Sequence, residues 1–155
     1  MNMRRRSGGR GEARRQAYEA RADEGAESRS ARRSVLVLDD EPRLLVLWRH
    51  IGEILGVEVT GVATVAQARA VLAAERVDQV VCDWFLSDGE TSQPLAEDLR
   101  AAGVPVLVTS GDITFLAGLA ALYPTLAKPF GLRDVEAVLR VGAAPVVVRR
   151  PRTQP

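Results

Sequence analysis

Residues 35–40 read Val-Leu-Val-Leu-Asp-Asp, and residues 79–83 read Gln-Val-Val-Cys-Asp. Each stretch is a short apolar run that ends in a carboxylate. A continuous apolar run of this length, rather than an alternating one, is typical of a strand that is buried on both faces, as in a parallel sheet covered by helices. The two stretches therefore predict an α/β fold with acidic side chains at the ends of its strands.

The same pattern extends over the chain as five strand-helix units. The predicted strands are 35–38, 57–62, 79–83, 106–109 and 125–127, and the predicted helices are 42–55, 64–74, 94–102, 113–122 and 132–139. Pro42 suits the first turn of a helix, and Thr64 suits an N-cap. In an open sheet of this type ligands bind at the carboxyl ends of the strands, so the residues that end the strands form the candidate site.

The 155-residue chain predicts one globular domain between two basic ends. Residues 1–33 contain ten arginines, five acids and few large aliphatic side chains, which predicts a disordered arm. Residues 34–142 form the predicted domain, and residues 143–155 a basic tail. Between positions 34 and 144 the chain has eight basic and fifteen acidic residues. We interpret the arm as a solvated tail, with binding of its arginines to nucleic acid or to an acidic surface as the alternative.

Cysteine content and hydropathy indicate the compartment. Cys82 is the single cysteine and excludes an internal disulfide, and no basic start followed by an apolar run marks a secretory signal. No stretch approaches the roughly 20 apolar residues that cross a bilayer. We therefore expect a cytoplasmic protein that does not insert into membranes.

Charged and hydroxyl side chains end or directly follow four of the predicted strands. They are Asp39 and Asp40, Asp83, Thr109 and Ser110, and Lys128. Three carboxylates at one edge repel one another unless a cation joins them, and hard oxygen ligands suit Mg²⁺. Such a set would let Asp83 accept a phosphoryl group, with Lys128 and Ser110 contacting the phosphoryl oxygens. Lys128 is also the only lysine among twenty-one basic residues, as a tight site that needs a compact ammonium would require.

Four segments resemble, in this order, the receiver domain of bacterial two-component response regulators, in its stand-alone, single-domain form. They are VLVLDDEPRLL (35–45), VVCDWFLSDGE (80–90), GVPVLVTSGD (103–112) and LAKPF (126–130). The resemblance implies a flavodoxin-like (βα)5 fold, a doubly wound five-stranded parallel sheet with strand order 2-1-3-4-5.

The resemblance also implies the roles of the site residues. Mg²⁺, the only cofactor expected, would be bound directly by Asp40 and Asp83, largely through water by Asp39, and by the backbone carbonyl of Phe85. Asp83 would be the phosphoacceptor. Ser110 would be the family's switch hydroxyl, and Lys128 its lysine, joined to Pro129 by a bond that resembles the family's cis peptide.

The function so implied is signalling rather than enzymatic, beyond self-phosphorylation and self-dephosphorylation. Asp83 would take its phosphoryl group from the phosphohistidine of a histidine kinase or a histidine phosphotransfer protein. The product would act by contact with a downstream protein, through the surface around the fourth helix, fifth strand and fifth helix, or as a phosphate relay or sink. A homodimer through the fourth and fifth helices is left open.

The chain departs from the family pattern at several positions. Ser87 stands where proline is common, Ser92 where glycine often opens the third helix, and Thr125 where many receivers carry an aromatic side chain. The interval from Ser110 to Lys128 is several residues shorter than usual, which predicts a short fourth helix.

The sequence leaves four alternatives open. Asp39 and Asp40 could merely cap a helix. An aspartate-nucleophile phosphatase would use Asp83, but it usually needs an acid two residues later, where this chain has Phe85. A nucleic-acid-associated protein would use the arginine-rich ends, although no recognition helix accompanies them and no specific nucleic acid is expected. A degenerate receiver would bind a partner without phosphorylation, which the intact acids and lysine argue against.

Overall fold

The computed structural model describes residues 32–141. The predicted tail 143–155 and all of the predicted arm except its last two residues lie outside this range, so both stay predictions. The elements are β1 (Ser34–Leu38), α1 (Pro42–Leu55), β2 (Glu58–Val62), α2 (Val65–Ala74), β3 (Gln79–Asp83), α3 (Gln93–Ala101), β4 (Val106–Ser110), α4 (Ile113–Leu119), β5 (Thr125–Ala127) and α5 (Leu132–Val141). Within residues 32–141, no helix has the length and apolarity that a membrane span requires.

The five strands form one parallel sheet in the order β2-β1-β3-β4-β5. This order confirms the predicted flavodoxin-like fold. From β1 the chain first adds β2 on one side of the sheet and then β3, β4 and β5 on the other side. The strand order therefore reverses between β1 and β3, the two strands whose carboxyl ends carry the acids. The carboxyl ends of these strands therefore flank the switch point, where doubly wound sheets bind their ligands.

Helices cover both faces of the sheet. On one face, α1 and α5 contribute Trp48 and Val138 to a core that also contains alternate strand residues such as Val37. On the other face, α2, α3 and α4 pack against the remaining strand residues, including Leu38 and Cys82. Because both faces are covered, the central strands are buried along their length, as their continuous apolar runs predict.

The helix starts follow the local sequence signals. Pro42 occupies the first turn of α1, whose N-cap is Glu41; the Glu41 side chain makes no capping hydrogen bond. Thr64 caps α2, since its hydroxyl accepts a hydrogen bond from the Gln67 N–H at 3.1 Å. The Thr64 cap confirms its prediction, and the start of α1 brings Asp39 and Asp40 to the edge of the sheet just before the helix.

Helix α4 is short, as the interval between Ser110 and Lys128 predicts, but it ends earlier than position 122. The N–H groups of Leu122 and Tyr123 both donate to the Leu119 carbonyl, which closes the helix with a turn. Pro124 follows, and a proline disfavours helical backbone at the residue before it. The turn buries the Tyr123 side chain in the core.

Candidate functional site

Three acidic side chains from the ends of β1 and β3 meet at one edge of the sheet. One carboxylate oxygen from each of Asp39, Asp40 and Asp83 lies within 4.8 Å of the others. Asp39 and Asp83 are buried, and Asp40 is partly exposed. The proximity follows from the register, in which Leu38 pairs with Cys82, so that both strands end at the same level.

Lys128 follows β5 and its side chain contacts two of these acids. The ammonium Nζ lies 2.9 Å from Asp39 Oδ2 and 2.9 Å from Asp83 Oδ2. The Lys128 N–H donates to the Ser110 carbonyl at 2.9 Å, and the bond to Pro129 is cis. One positive charge therefore compensates two of the three carboxylates.

Burial affects the pKa of both Asp83 and Lys128. Desolvation raises the pKa of Asp83 to about 6, the hydrogen bond and charge of Lys128 oppose this shift, and the charges of Asp39 and Asp40 add to it. Desolvation works to lower the pKa of Lys128, but its hydrogen bonds to Asp39 and Asp83, together with the charges of these two acids, outweigh that effect, and the net result is a raised pKa. Lys128 is consequently charged at neutral pH, and ionised Asp83 would be stabilised by a further cation.

Asp40 is bound by the loop that follows β3. The Ser87 N–H donates to Asp40 Oδ2 at 2.6 Å, and the Ser87 hydroxyl donates to the same oxygen. The hydrogen bond from the Ser87 hydroxyl is the main cause of the lowered pKa of Asp40, against a smaller opposing effect of desolvation. Asp39 Oδ1 accepts from the Glu41 N–H at 2.9 Å. The bonds of Asp40 join it to a loop away from α1, so helix capping does not account for Asp40. Asp39 accepts from the N-cap residue of α1 and also contacts Lys128, which capping alone does not explain.

The oxygen donors at this edge fit Mg²⁺. Carboxylate oxygens are the hard ligands that this ion takes, and a single lysine leaves the three acids with excess negative charge. The backbone carbonyl of Phe85 is a further candidate ligand. Phe85 forms an antiparallel bridge with Thr91 that is closed by the Leu86 N–H and the Trp84 carbonyl. The Phe85 carbonyl takes no part in closing it.

The predicted switch hydroxyl ends β4, next to the strand that carries Asp83. Ser110 is buried and pairs in register with Ala127, directly before Lys128. Its Oγ accepts a hydrogen bond from the Asp112 N–H at 3.1 Å. Since that bond uses a lone pair of the oxygen, the hydroxyl proton can be donated to another group.

Solved structures of similar fold identify the family. The solution structure of SdrG from Sphingomonas melonis Fr1 is 31% identical, and the match covers 71% of this chain and 95% of SdrG with a TM-score of 0.57. The receiver domain of the PhyR response regulator from Erythrobacter litoralis is 26% identical, covering 76% of this chain and 97% of that domain with a TM-score of 0.61. The chain belongs to the response regulator receiver family.

A receiver domain from Methylobacillus flagellatus, 22% identical over 71% of this chain and 98% of its own length, has the same fold with a TM-score of 0.61. No family model matches the sequence. No curated protein matches it either. The receiver assignment thus rests on the solved structures and agrees with the resemblance in the sequence.

An aromatic cluster lies beside β3 of this receiver and was not predicted from the sequence. The ring of Trp84 lies 5.5 Å from that of Phe115 and 6.1 Å from that of Tyr123, and Phe115 lies 4.9 Å from Phe85, between ring centroids. Tyr123 precedes by two residues the position of Thr125, where many receivers carry an aromatic side chain. The Tyr123 ring is thus buried against Trp84, two positions before the usual place of that aromatic residue.

The contact between Ser87 and Asp40 was also missed. The sequence showed only that Ser87 departs from the proline common in receivers. The two residues are 47 positions apart, and no local pattern joins them. The available signal was a hydroxyl residue in the loop directly after β3, which is too common a feature to assign a partner.

Proposed function

We propose that this receiver accepts a phosphoryl group on Asp83 from the phosphohistidine of a histidine kinase or a histidine phosphotransfer protein. One observation carries the proposal: Asp83 Oδ2 lies 2.9 Å from the only lysine of the chain, within a cluster that also contains Asp39 and Asp40. The cluster combines a nucleophilic carboxylate, a cation for phosphoryl oxygens and two acids for a metal ion.

The transfer requires the ionised form of Asp83. One of its oxygens attacks the phosphorus while the P–N bond to the histidine ring breaks, and the imidazole takes up a proton as it leaves. The product is an acyl phosphate at the edge of the sheet. Lys128 offers a compact positive charge to the phosphoryl oxygens, and Ser110, oriented by the Asp112 N–H, donates its hydroxyl proton to one of them.

Asp40 and Asp83 are the proposed direct ligands of Mg²⁺, with Asp39 acting through water and the Phe85 carbonyl as a further ligand. When bound, the ion neutralises the negative charge that the phosphoryl group brings to the acids. The close approach of the three carboxylates, with one lysine among them, supports this assignment, because it leaves a surplus of negative charge at the site.

The phosphorylated receiver acts through protein contacts, or passes its phosphoryl group on as a relay or sink. Exposed apolar side chains on the segments around α4 and α5 support a contact surface there; they are Ile113, Leu122 and Leu132. A homodimer through the same two helices is the alternative use of this surface. The phosphatase alternative lacks support, since the residue two positions after Asp83 is Phe85, whose ring packs on Phe115.

Intact mass measurement after incubation with acetyl phosphate and Mg²⁺ tests the proposal. The wild-type chain should gain the mass of one phosphoryl group, and chelation of Mg²⁺ should prevent the gain. The Asp83→Asn variant should gain nothing. Asp98→Asn is the matched control, because Asp98 is an exposed aspartate bound to Arg69, and it should behave as wild type. A wild-type chain that gains no mass would contradict phosphorylation and favour a degenerate receiver.

A further inference from the structure

We infer that Ser87 is a positioning residue that orients Asp40 for metal binding. This inference rests on the proposed function, because it concerns the Mg²⁺ site of the receiver. It assigns a role to a residue at which this chain departs from its family, where proline is common and offers neither a hydroxyl nor an N–H.

The three acids of the site are oriented by two different residues. Lys128 contacts Asp39 and Asp83 through their Oδ2 atoms but forms no ion pair with Asp40. Asp40 instead receives the Ser87 N–H, at 2.6 Å, and the Ser87 hydroxyl, both on Oδ2. Two donors on one oxygen fix the carboxylate plane, and neither bond uses Asp40 Oδ1. Ser87 thus orients the carboxylate of Asp40, as Lys128 orients those of Asp39 and Asp83. Asp40 Oδ1 is then available to bind the ion.

The loop that presents Ser87 is fixed by its own hydrogen bonds. The Leu86 side chain is buried, and the Leu86 N–H donates to the Glu90 carbonyl at 2.9 Å. The Gly89 N–H donates to the Leu86 carbonyl at 3.1 Å. Gly89 has a φ of +82°, a backbone conformation that favours glycine. Asp88 Oδ1 accepts from the Glu90 N–H at 3.0 Å. Ser87 is therefore held in place from both sides and can in turn hold Asp40.

The expected effect is on metal affinity rather than on folding. Hydrogen bonds that orient a metal-ligating side chain are worth about 10- to 100-fold in affinity. Ser87→Ala removes the hydroxyl bond and keeps the N–H, so it should weaken metal binding about tenfold. Ser87→Pro removes both donors and should weaken it further, towards about 100-fold.

Direct titration with Mn²⁺, an ion that takes the same oxygen ligands as Mg²⁺, tests the inference. Electron paramagnetic resonance of free Mn²⁺ gives the dissociation constant of each full-length variant, and Mg²⁺ competition reports the site shared by the two ions. Ser92→Ala is the matched control, since Ser92 lies in the same loop and its buried hydroxyl bonds to none of the acids. It should bind Mn²⁺ as wild type does.

The outcomes separate the two proposals. Weaker binding by both Ser87 variants, with the melting temperature in EDTA unchanged for Ser87→Ala, is the expected result. If wild type binds Mn²⁺ and Asp40→Asn does not, yet Ser87→Ala binds as tightly as wild type or more tightly, the positioning role is overturned and the metal site stands. Absence of Mn²⁺ binding by wild type would overturn both.

Discussion

The Lys128 ammonium and the Asp83 carboxylate are in direct contact, with 2.9 Å between Nζ and Oδ2. The Asp83 side chain is 8% exposed and that of Lys128 is 20% exposed, so little water screens the pair. The same ammonium contacts Asp39, which is 3% exposed. Lys128 is therefore the main counter-charge of two buried acids, and its removal has a structural consequence besides a chemical one.

We expect Lys128→Ala to lower the free energy of unfolding by about 3 kcal/mol at pH 7.5 in EDTA, because it leaves Asp39 and Asp83 buried without a counter-ion. Urea unfolding followed by circular dichroism measures the loss. Arg140→Ala is the control, since Arg140 forms an exposed ion pair with Glu136 on α5, and the loss should stay below about 0.5 kcal/mol. Equal losses in the two variants would show that the contact of Lys128 with the acids contributes little.

The raised pKa of Asp83 predicts a pH-dependent gain of stability in Asp83→Asn. The folded-state pKa of about 6 exceeds the unfolded value of about 4, so the folded protein binds this proton more tightly. The contribution of Asp83 to stability consequently falls as the pH rises from about 4 to about 6, and the ionised carboxylate is destabilising above that window. Asparagine resembles the protonated form at every pH.

At pH 7.5 in EDTA, Asp83→Asn should therefore unfold with a free energy about 2 kcal/mol higher than wild type, after allowance for solvent screening. The difference should shrink towards zero near pH 4. Thermal unfolding of both proteins across this range measures it, with Asp98→Asn as the exposed control. A constant difference at all pH values would mean that asparagine acts by something other than the missing charge.

We expect removal of the buried Tyr123 hydroxyl to change the free energy of unfolding little. Within residues 32–141 it has no hydrogen-bond partner, while the ring packs against Trp84. Tyr123→Phe should leave the free energy of unfolding unchanged or raise it by up to about 1 kcal/mol. Tyr123→Ala, which empties the core position, should lower it by about 3 kcal/mol. A loss above about 1 kcal/mol in Tyr123→Phe, measured in urea, would reveal a hydrogen bond of this hydroxyl.

The site was predictable where it depends on strand ends. Apolar runs such as 35–38 and 79–83 mark buried strands by local pattern alone, and parallel strands bring their carboxyl ends to one edge. Asp40, Asp83 and Lys128 therefore meet without any long-range information beyond the fold. Their roles in phosphoryl transfer stay predictions.

Features that depend on packing between distant segments were not predictable. The bond from Ser87 to Asp40 needs the loop after β3 to fold back over the end of β1, and the place of Tyr123 depends on where α4 ends. The sequence prediction carried α4 to position 122 because apolar side chains continue to that point. The turn at Leu119 ends the helix earlier, because Pro124 disfavours helical backbone at Tyr123 and β5 begins at Thr125.

Two glycines in helices predict opposite responses to the same substitution. A methyl group on Gly52, in α1, would lie 2.5 Å from Val59 Cγ2 and 2.9 Å from the Val57 carbonyl oxygen, and the backbone atom cannot move aside cheaply. Gly52→Ala should therefore lower the free energy of unfolding by about 2 kcal/mol. A methyl group on Gly118, in α4, would meet open space. Gly118→Ala should raise stability by about 0.5–1 kcal/mol, because alanine favours helical backbone.

Urea unfolding of the two variants measures both effects, and their opposite sign is the decisive feature. A loss in Gly118→Ala would mean that the short α4 needs the freedom of glycine near its end. A neutral Gly52→Ala would mean that α1 can move away from β2. Such a movement would also shift Asp40, which lies just before α1, so the Mn²⁺ affinity of Gly52→Ala provides a second measure of how closely this helix is bound to the sheet.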